Sequence, residues 1–496
     1  MHAPFDAAML RDEDTGLLLD LSEAGPPPDP ALRAALDRAL DAMAALEAGA
    51  IANADEGRQV GHYWLRSPDR APSEEQRAAI RASHEAIRAL PVGRWSEVLL
   101  IGIGGSALGP QLLADALAGP ADPARLHFLD NTDPEGIQRV LSGLDPARTL
   151  CLVVSKSGGT VETRNGMLAA MAWMQAAGRD FGAQAIAITG AGSALDQQAA
   201  GWLARLPMWD WVGGRTSVTG TVGLVPMALC GWDWEGLLAG AAAMDAACRR
   251  PVDQNPAARL AAAWFIAGNG WGDRALVIEP YRDRLALLSR YLQQLIMESL
   301  GKRLDRQGQV VEQGLVVYGN KGSTDQHAFM QQVRDGRNDT LVHFIDVLEP
   351  GPDLDAGGGL RVSDHLLGFL LGTRSALSAA GRPSVTIHTT AARARGLGAL
   401  ISIFERAVGL YAELIDVNAY HQPGVEAGKR GATAALDGML RLCAALTAQP
   451  QTAEALAARC GLAPALAWRL LEHLSATGRA TRSPGATPAL DAYRLA

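Results

Sequence analysis

The stretch VLLIGIGGSALGPQLLADAL, Val98 to Leu117, decides the fold. Val98–Ile103 is an apolar run bounded by glycine, the pattern of a strand buried on both faces. From Ser106 to Leu117 the apolar spacing turns helical. A buried strand that runs through a glycine turn into a helix is the opening of a parallel α/β unit. The same alternation continues outward. Leu126–Leu129, Thr149–Val154 and Gln184–Thr189 read as further strands, and Glu162–Ala177 as a helix between two of them. Arg249–Pro256 (RRPVDQNP) breaks the pattern, which then resumes. Ala275–Glu279, Leu315–Tyr318, Leu341–Val347 and Ser384–His388 read as strands, and Arg284–Leu300 as one long helix. The expected fold is α/β, with two doubly wound parallel-sheet domains and helical extensions at both ends. The expected limits are 1–55 for the N-terminal extension and 56–248 for the first domain. The second domain covers 257–435 and the C-terminal helical segment 436–496. Within that segment Thr452–Arg479 reads as helix–turn–helix, with Gly461 at the turn.

Six segments carry chemistry. In GIGGSA, Gly102–Ala107, glycines let the backbone approach an anion and the helix N-terminus offers free N–H groups. Gly105 and Ser106 are the expected contacts. SKSGGT, Ser155–Thr160, gathers three hydroxyls, a lysine and two glycines at another strand-to-helix turn. Donors of that kind converging on one dianion suit a phosphomonoester; a simple N-cap explains one hydroxyl, not the cluster. GGRTS, Gly213–Ser217, places Arg215 after two glycines, where its planar fork reaches an anion. In QQLIMESLGK, Gln293–Lys302, helical spacing sets Gln294 and Glu298 on one face. The polar loop Tyr318–Phe329 contains His327, and HQPGVEAGK, His421–Lys429, runs from a turn into a helix. Taken singly, the last four also fit a surface arginine, a solvated helix face, a structural histidine and a plain turn.

Composition removes other classes. The 496-residue chain has a formal net charge of −8 and no run of five basic residues, so a general nucleic-acid surface is not expected. Its five cysteines, Cys151, Cys230, Cys248, Cys443 and Cys460, are scattered without a C-x-x-C pair. Neither a disulfide framework nor a zinc site follows, and reduced thiols in the cytoplasm do. The N-terminus carries Asp6, Asp12, Glu13 and Asp14, unlike a secretory leader. The longest uncharged stretches, Val98–Ala114 and Thr216–Trp232, are interrupted by Gly, Pro, Ser or Thr, so no membrane span is expected.

Together and in order, GIGGS, SKSGGTVET, GGRTS, QLIMESLGK, STDQHAF and QPGVEAGK resemble the motifs of the glucose-6-phosphate isomerase family, over residues 102 to 429. The resemblance implies two sugar-isomerase domains, a homodimer with shared sites, a small sugar phosphate as substrate, and neither metal nor cofactor. It implies that Glu298 moves a proton between C1 and C2 and that Arg215 stabilises the enediolate. It implies that His327, from the partner subunit, and Lys429 assist ring opening. Gly105, Ser106, Ser155, Lys156, Ser157 and Thr160 would hold phosphate, and Gln294 and Gln422 would contact sugar hydroxyls. Leu300 stands where the family frequently has Asn.

Two other readings compete. GIGGSA also fits the dinucleotide fingerprint, with Asp130 near the place of a ribose-binding acid. That reading leaves SKSGGT, Glu298 and Lys429 without a purpose. A sugar-phosphate-responsive regulator would use the phosphate cradle and the terminal helix–turn–helix, but not Glu298, His327 or Lys429.

Overall fold

The structure is a computed structural model that describes residues 8–496, with the side chains of Glu426 and Ala427 not described. Asp6 and the rest of the first seven residues of the expected 1–55 extension lie outside the described residues. The chain divides into two compact units, residues 1–421 and 422–496.

In the first unit, five strands form a parallel sheet: β1 (Glu97–Ile101), β2 (Arg125–Leu129), β3 (Thr149–Ser155), β4 (Ala185–Thr189) and β5 (Ala204–Pro207). Their order is β2-β1-β3-β4-β5. All seven residues of β3 are buried, because each face of the sheet is covered. Leu99, Ile101, Cys151 and Val153 pack with Met167 and Met174 of helix α2 (Val161–Ala176). Leu100, Leu152 and Val154 face the other way, in the cluster with Leu112 and Leu113 of α1 (Leu108–Leu117). Consecutive residues thus serve opposite faces, as a period of two requires. The strand order reverses between β1 and β3, so α1 and α2 diverge there. That switch point, at the carboxyl ends of the strands, is where an open α/β sheet leaves a crevice. GIGGSA follows β1 and SKSGGT follows β3, so the fold itself sets the two anion turns side by side.

The second sheet has a parallel set, β6 (Ala275–Pro280), β7 (Val317–Tyr318), β8 (Thr340–Val347) and β9 (Ser384–Thr389), in the order β9-β8-β6-β7. The N-terminal extension, expected to be helical, contains the helix Pro30–Glu47 and also a hairpin, Met9–Asp12 with Leu17–Asp20. The hairpin adds antiparallel strands to the free edge of β9. It closes that edge against unwanted pairing.

The expected helix Arg284–Leu300 is not one uniform helix. A 3-10 turn at Asp283–Leu285 leads to α-helix over Leu288–Leu292, and Gln293–Glu298 forms a π-helix. A π segment widens the turn and re-aims side chains, and such segments recur at functional sites.

The second unit has its own core of Leu442, Leu456, Leu471, Leu474 and Tyr493. Helix α3 (Pro423–Ala445) is followed by a short strand (Gln451–Thr452), helices α4 (Ala453–Cys460) and α5 (Pro464–Ala476), and strands Ala480–Ser483 and Ala492–Leu495. The three strands pair antiparallel. Gly461, at φ +61°, makes the left-handed turn out of α4. This is the order of a winged helix–turn–helix, richer in strand than the helical segment expected. Arg482 is taken up by Glu472 and Asp491. Of the Lys and Arg residues, α5 itself carries only Arg469. No helix among the described residues is long and apolar enough to cross a membrane.

Candidate functional site

The anion turn after β1 closes as a 3-10 turn, Gly104–Ser106, with Gly104 at φ +59°. It lies against the GGRTS turn. A Cβ on Gly105 would stand 2.1 Å from the carbonyl carbon of Gly214, so no other residue fits. Ser217 Oγ clasps the two turns, donating to Gly214 O (2.8 Å) and lying 3.3 Å from Gly105 O. Gln294 Nε2 comes within 3.2 Å of a Cβ position on Gly104. Gln294 therefore reaches the first turn from the π-helix.

At SKSGGT, Gly158 has φ +69°, and a Cβ there would stand 2.4 Å from Leu195 N, so the loop requires glycine. Gly158 N donates to Ser155 Oγ (3.2 Å) and Gly159 N to Ser157 Oγ (3.2 Å). Ser155 Oγ and Thr160 Oγ1 are 3.3 Å apart. Thr160 occupies the N-cap position of α2, yet its hydroxyl makes no capping bond. The hydroxyls and amides thus gather at one helix N-terminus, the arrangement that favours a dianion. Lys156 is placed differently from its neighbours. Its ammonium donates to Asp210 O and Val212 O, both at 2.9 Å, and burial, with nearby Arg58, lowers its pKa. It ties the SKSGGT turn to the segment leading into GGRTS. Ser157→Ala is expected to weaken anion binding at this turn, raising KM about tenfold with kcat within threefold, because one hydroxyl donor is lost. Steady-state kinetics of the variant check this; a pure kcat loss would contradict it.

Arg215 is buried at 5% exposure. Its Nη1 lies 3.1 Å from Glu298 Oε2. Its Nη2 donates to Ala419 O (2.7 Å) and His421 O (3.0 Å). Burial lowers the arginine's pKa, opposed by Glu298. The carboxylate it faces is itself partly accessible, with 21% of the Glu298 side chain exposed. A fixed cation beside an accessible carboxylate can accept a proton at one group and stabilise a developing oxyanion at the other.

Lys302 completes the arrangement, and sequence reasoning missed it. The chain leaves the helix at Gly301, so Glu298 O lacks its usual amide partner. Lys302 Nζ takes that role at 2.6 Å and also donates to His421 O at 3.1 Å. Burial first, then Arg215, pulls the lysine down to about 7, against Glu298 and Asp55. The signal in the sequence was a lysine four residues beyond a helical glutamate, just past a glycine. Lys302→Met is expected to lower kcat about tenfold with KM within threefold, since one strong hydrogen bond at the end of the Glu298 segment is lost. Lys302→Arg should recover part of the loss; a variant as active as the parent would remove Lys302 from the site.

His327 ends a 3-10 turn, Thr324–His327, and is exposed. Among the described residues, no hydrogen bond or ion pair joins it to Glu298 of the same chain. Gln422 is the N-cap residue of α3 and Lys429 lies on that helix, both in the second unit. Asp130, the acid of the dinucleotide reading, accepts a 2.8 Å bond from Gln111 Nε2 within the fold.

Parallel α/β sheets, two glycine- and hydroxyl-rich turns at a switch point and a carboxylate against a buried arginine suit a sugar-phosphate isomerase. The family model for phosphoglucose isomerase matches residues 33–352 and 373–445. The chain belongs to the phosphoglucose isomerase family. It is 54% identical over 450 residues to glucose-6-phosphate isomerase from Geobacter sulfurreducens, covering 86% of this chain and 85% of that one. It is 52% identical over 481 residues to the glucose-6-phosphate isomerase of a Synechococcus strain, JA-2-3B'a(2-13), covering 92% and 90%. Among solved structures, a glucose-6-phosphate isomerase from Chlamydia trachomatis superposes with a TM-score of 0.80 at 26% identity, covering 87% and 90%. A hypothetical protein from Thermus thermophilus superposes at 0.68 and 31% identity, covering 82% and 95%.

Proposed function

We propose that this chain interconverts glucose 6-phosphate and fructose 6-phosphate, and that Glu298 carries the proton. The observation behind the reading is the Glu298 carboxylate, reachable from outside and held 3.1 Å from a buried Arg215. In the open-chain aldose, Glu298 takes the proton from C2. The C–H electrons form the C1=C2 bond and the carbonyl electrons move to O1, giving an enediolate. Arg215 stabilises that oxyanion without reorganising at the moment of reaction. The same carboxyl returns the proton to C1, O2 becomes the carbonyl, and its hydroxyl proton passes to O1. Nothing is oxidised overall, and no cofactor is called for.

Phosphate sits on Gly105, Ser106, Ser155, Ser157 and Thr160, with Lys156 bracing the loop beside it. Its binding energy is remote from C1 and C2 and serves to position them. Gln294 and Gln422 contact sugar hydroxyls, and His327 and Lys429 open the ring. The two sheets support sugar-isomerase domains over 56–248 and 257–435. The chain acts as a homodimer in which His327 completes the partner's site. Support for this comes from the helix Val362–Ala379 beside the His327 loop. Gln326 Nε2 donates to Phe369 O there (3.1 Å), and Leu367, Phe369 and Leu371 are each about half exposed. Leu367 and Leu371 lie four apart on one side of the helix and Phe369 on the other, and exposed apolar side chains suit an interface. Its free cysteines suit the reducing cytoplasm, where it would take part in glycolysis and gluconeogenesis.

The test is a coupled assay of fructose 6-phosphate conversion by dialysed, chelator-treated protein. Conversion at full rate is expected. Absence of conversion would reject the reading, and activity restored only by a divalent metal would reject the mechanism.

A further inference from the structure

Glu279 is among the buried acids that the mechanism leaves unused. Near the end of β6, it is 0% exposed; with both carboxyls ionised neither of its oxygens finds a donor, and the polar group it faces is the carboxyl of Asp325. Strand alternation puts it on the face of Val277 and Tyr281, which Phe344 and Met330 cover. Burying an ionised carboxylate among such groups is costly, and the group responds by holding its proton. Burial, then the charge of Asp325, pushes Glu279 up to about 9.

Asp325 is the hub of the loop that carries His327. It accepts from Asn320 N (2.7 Å), Asn320 Nδ2 (3.0 Å) and Lys321 N (3.2 Å). Its own carbonyl accepts from Ala328 N and Phe329 N, both at 3.1 Å. The loop rests directly on β6: Gly322 N donates to Pro280 O (3.1 Å), and a Cβ on Gly319 would strike Ile278 O at 2.2 Å. The loop thus rests on the two strand neighbours of Glu279, whose carboxyl interacts with that of Asp325, the acceptor that organises the loop.

We propose that Glu279 is a positioning residue for His327: protonated, it donates toward Asp325 and seats the Asn320–His327 loop on the sheet. The inference rests on the proposed role of His327. It makes the seating of the loop pH-dependent. An acid whose pKa is raised in the closed loop stabilises that closure fully below its solvated value, near 4.5. The stabilisation is lost progressively as pH rises toward about 9. The surrounding groups do not produce this trend. Tyr281 and Tyr318 are raised above the ordinary tyrosine value, chiefly by burial, and stay neutral. Lys321 is paired with Asp283 at 2.8 Å. His343 of β8 turns to the opposite side, where Trp264 Nε1 donates to it.

The experiment is hydrogen–deuterium exchange of the full-length protein between pH 6 and 8, corrected for intrinsic exchange, with kcat measured alongside. Protection of the loop amides in the parent should fall at least about tenfold over that range, the limit being tenfold per pH unit. Glu279→Gln keeps a donor without a titrating proton, so its protection should change less than about twofold, and its kcat should persist to higher pH. Glu279→Met fits the apolar face but has no donor. Its protection should be equally flat, and lower than that of Glu279→Gln at pH 6. Parallel profiles in parent and Glu279→Gln would overturn the proposal, as would equal protection in the Met and Gln variants. If protection follows expectation while the kcat profiles coincide, the seat stands and the catalytic role of His327 fails.

Discussion

Glu298→Gln is expected to lower kcat by about 10²–10⁴-fold, the range that a positioned general base contributes. KM should stay within a few-fold, because the two glycine- and hydroxyl-rich turns proposed to bind phosphate, after β1 and β3, belong to other parts of the chain. The substitution also isolates the proton from the fold. Glutamine keeps the shape of the side chain, and Arg215 retains its bonds to Ala419 O and His421 O. The buried guanidinium keeps its hydrogen bonding but loses its anionic partner, so the thermal transition should fall while the protein stays folded. A second readout separates base loss from misplacement. Solvent deuterium incorporation at C1 and C2 of the sugar should fall in step with turnover. Near-normal turnover in a folded Glu298→Gln protein would assign the base elsewhere.

What the sequence made legible follows from periodicity. Buried strands such as Thr149–Ser155 are continuous apolar runs, and all the strands expected in the two parallel sheets are present. The two turns after β1 and β3 were legible because glycines and hydroxyls cluster there, where a strand hands over to a helix. The π segment was not. Gln293–Glu298 has unremarkable helical composition, and a wider turn leaves no mark in the spacing of a few residues. The spacing of Gln294 and Glu298 consequently does not have the meaning it would have on an α-helix. The N-terminal hairpin was obscured because its strands are four residues each and its partner, β9, lies more than 350 residues on. Lys302 and the carbonyl of His421 meet across 119 residues. No local pattern encodes that contact. Glu279 was legible as the end of a strand, but whether a strand carboxylate is exposed or sealed depends on which loop lands on it.

Mixing two inactive variants, Glu298→Gln and His327→Ala, is expected to restore activity once their subunits exchange. A two-fold interface is self-complementary, so a shared site occurs twice per dimer. In a mixed dimer, one site combines the altered Glu298 of its own chain with the altered His327 of the other. The second site receives both natural residues. Random exchange at equal concentrations makes about half the dimers mixed, so about a quarter of all sites should be active. The position of His327 supports the experiment. It is exposed at the tip of a loop fastened to its own sheet through Asp325, and within one chain no described bond joins it to Glu298. A loop so fastened favours a fixed position for His327, and subunit mixing tests whether that position serves a partner's site. If labelled subunits exchange and no activity returns, His327 acts within its own chain. Full activity of a dilute monomer would lead to the same conclusion, and the exposed Leu367, Phe369 and Leu371 would then need another partner.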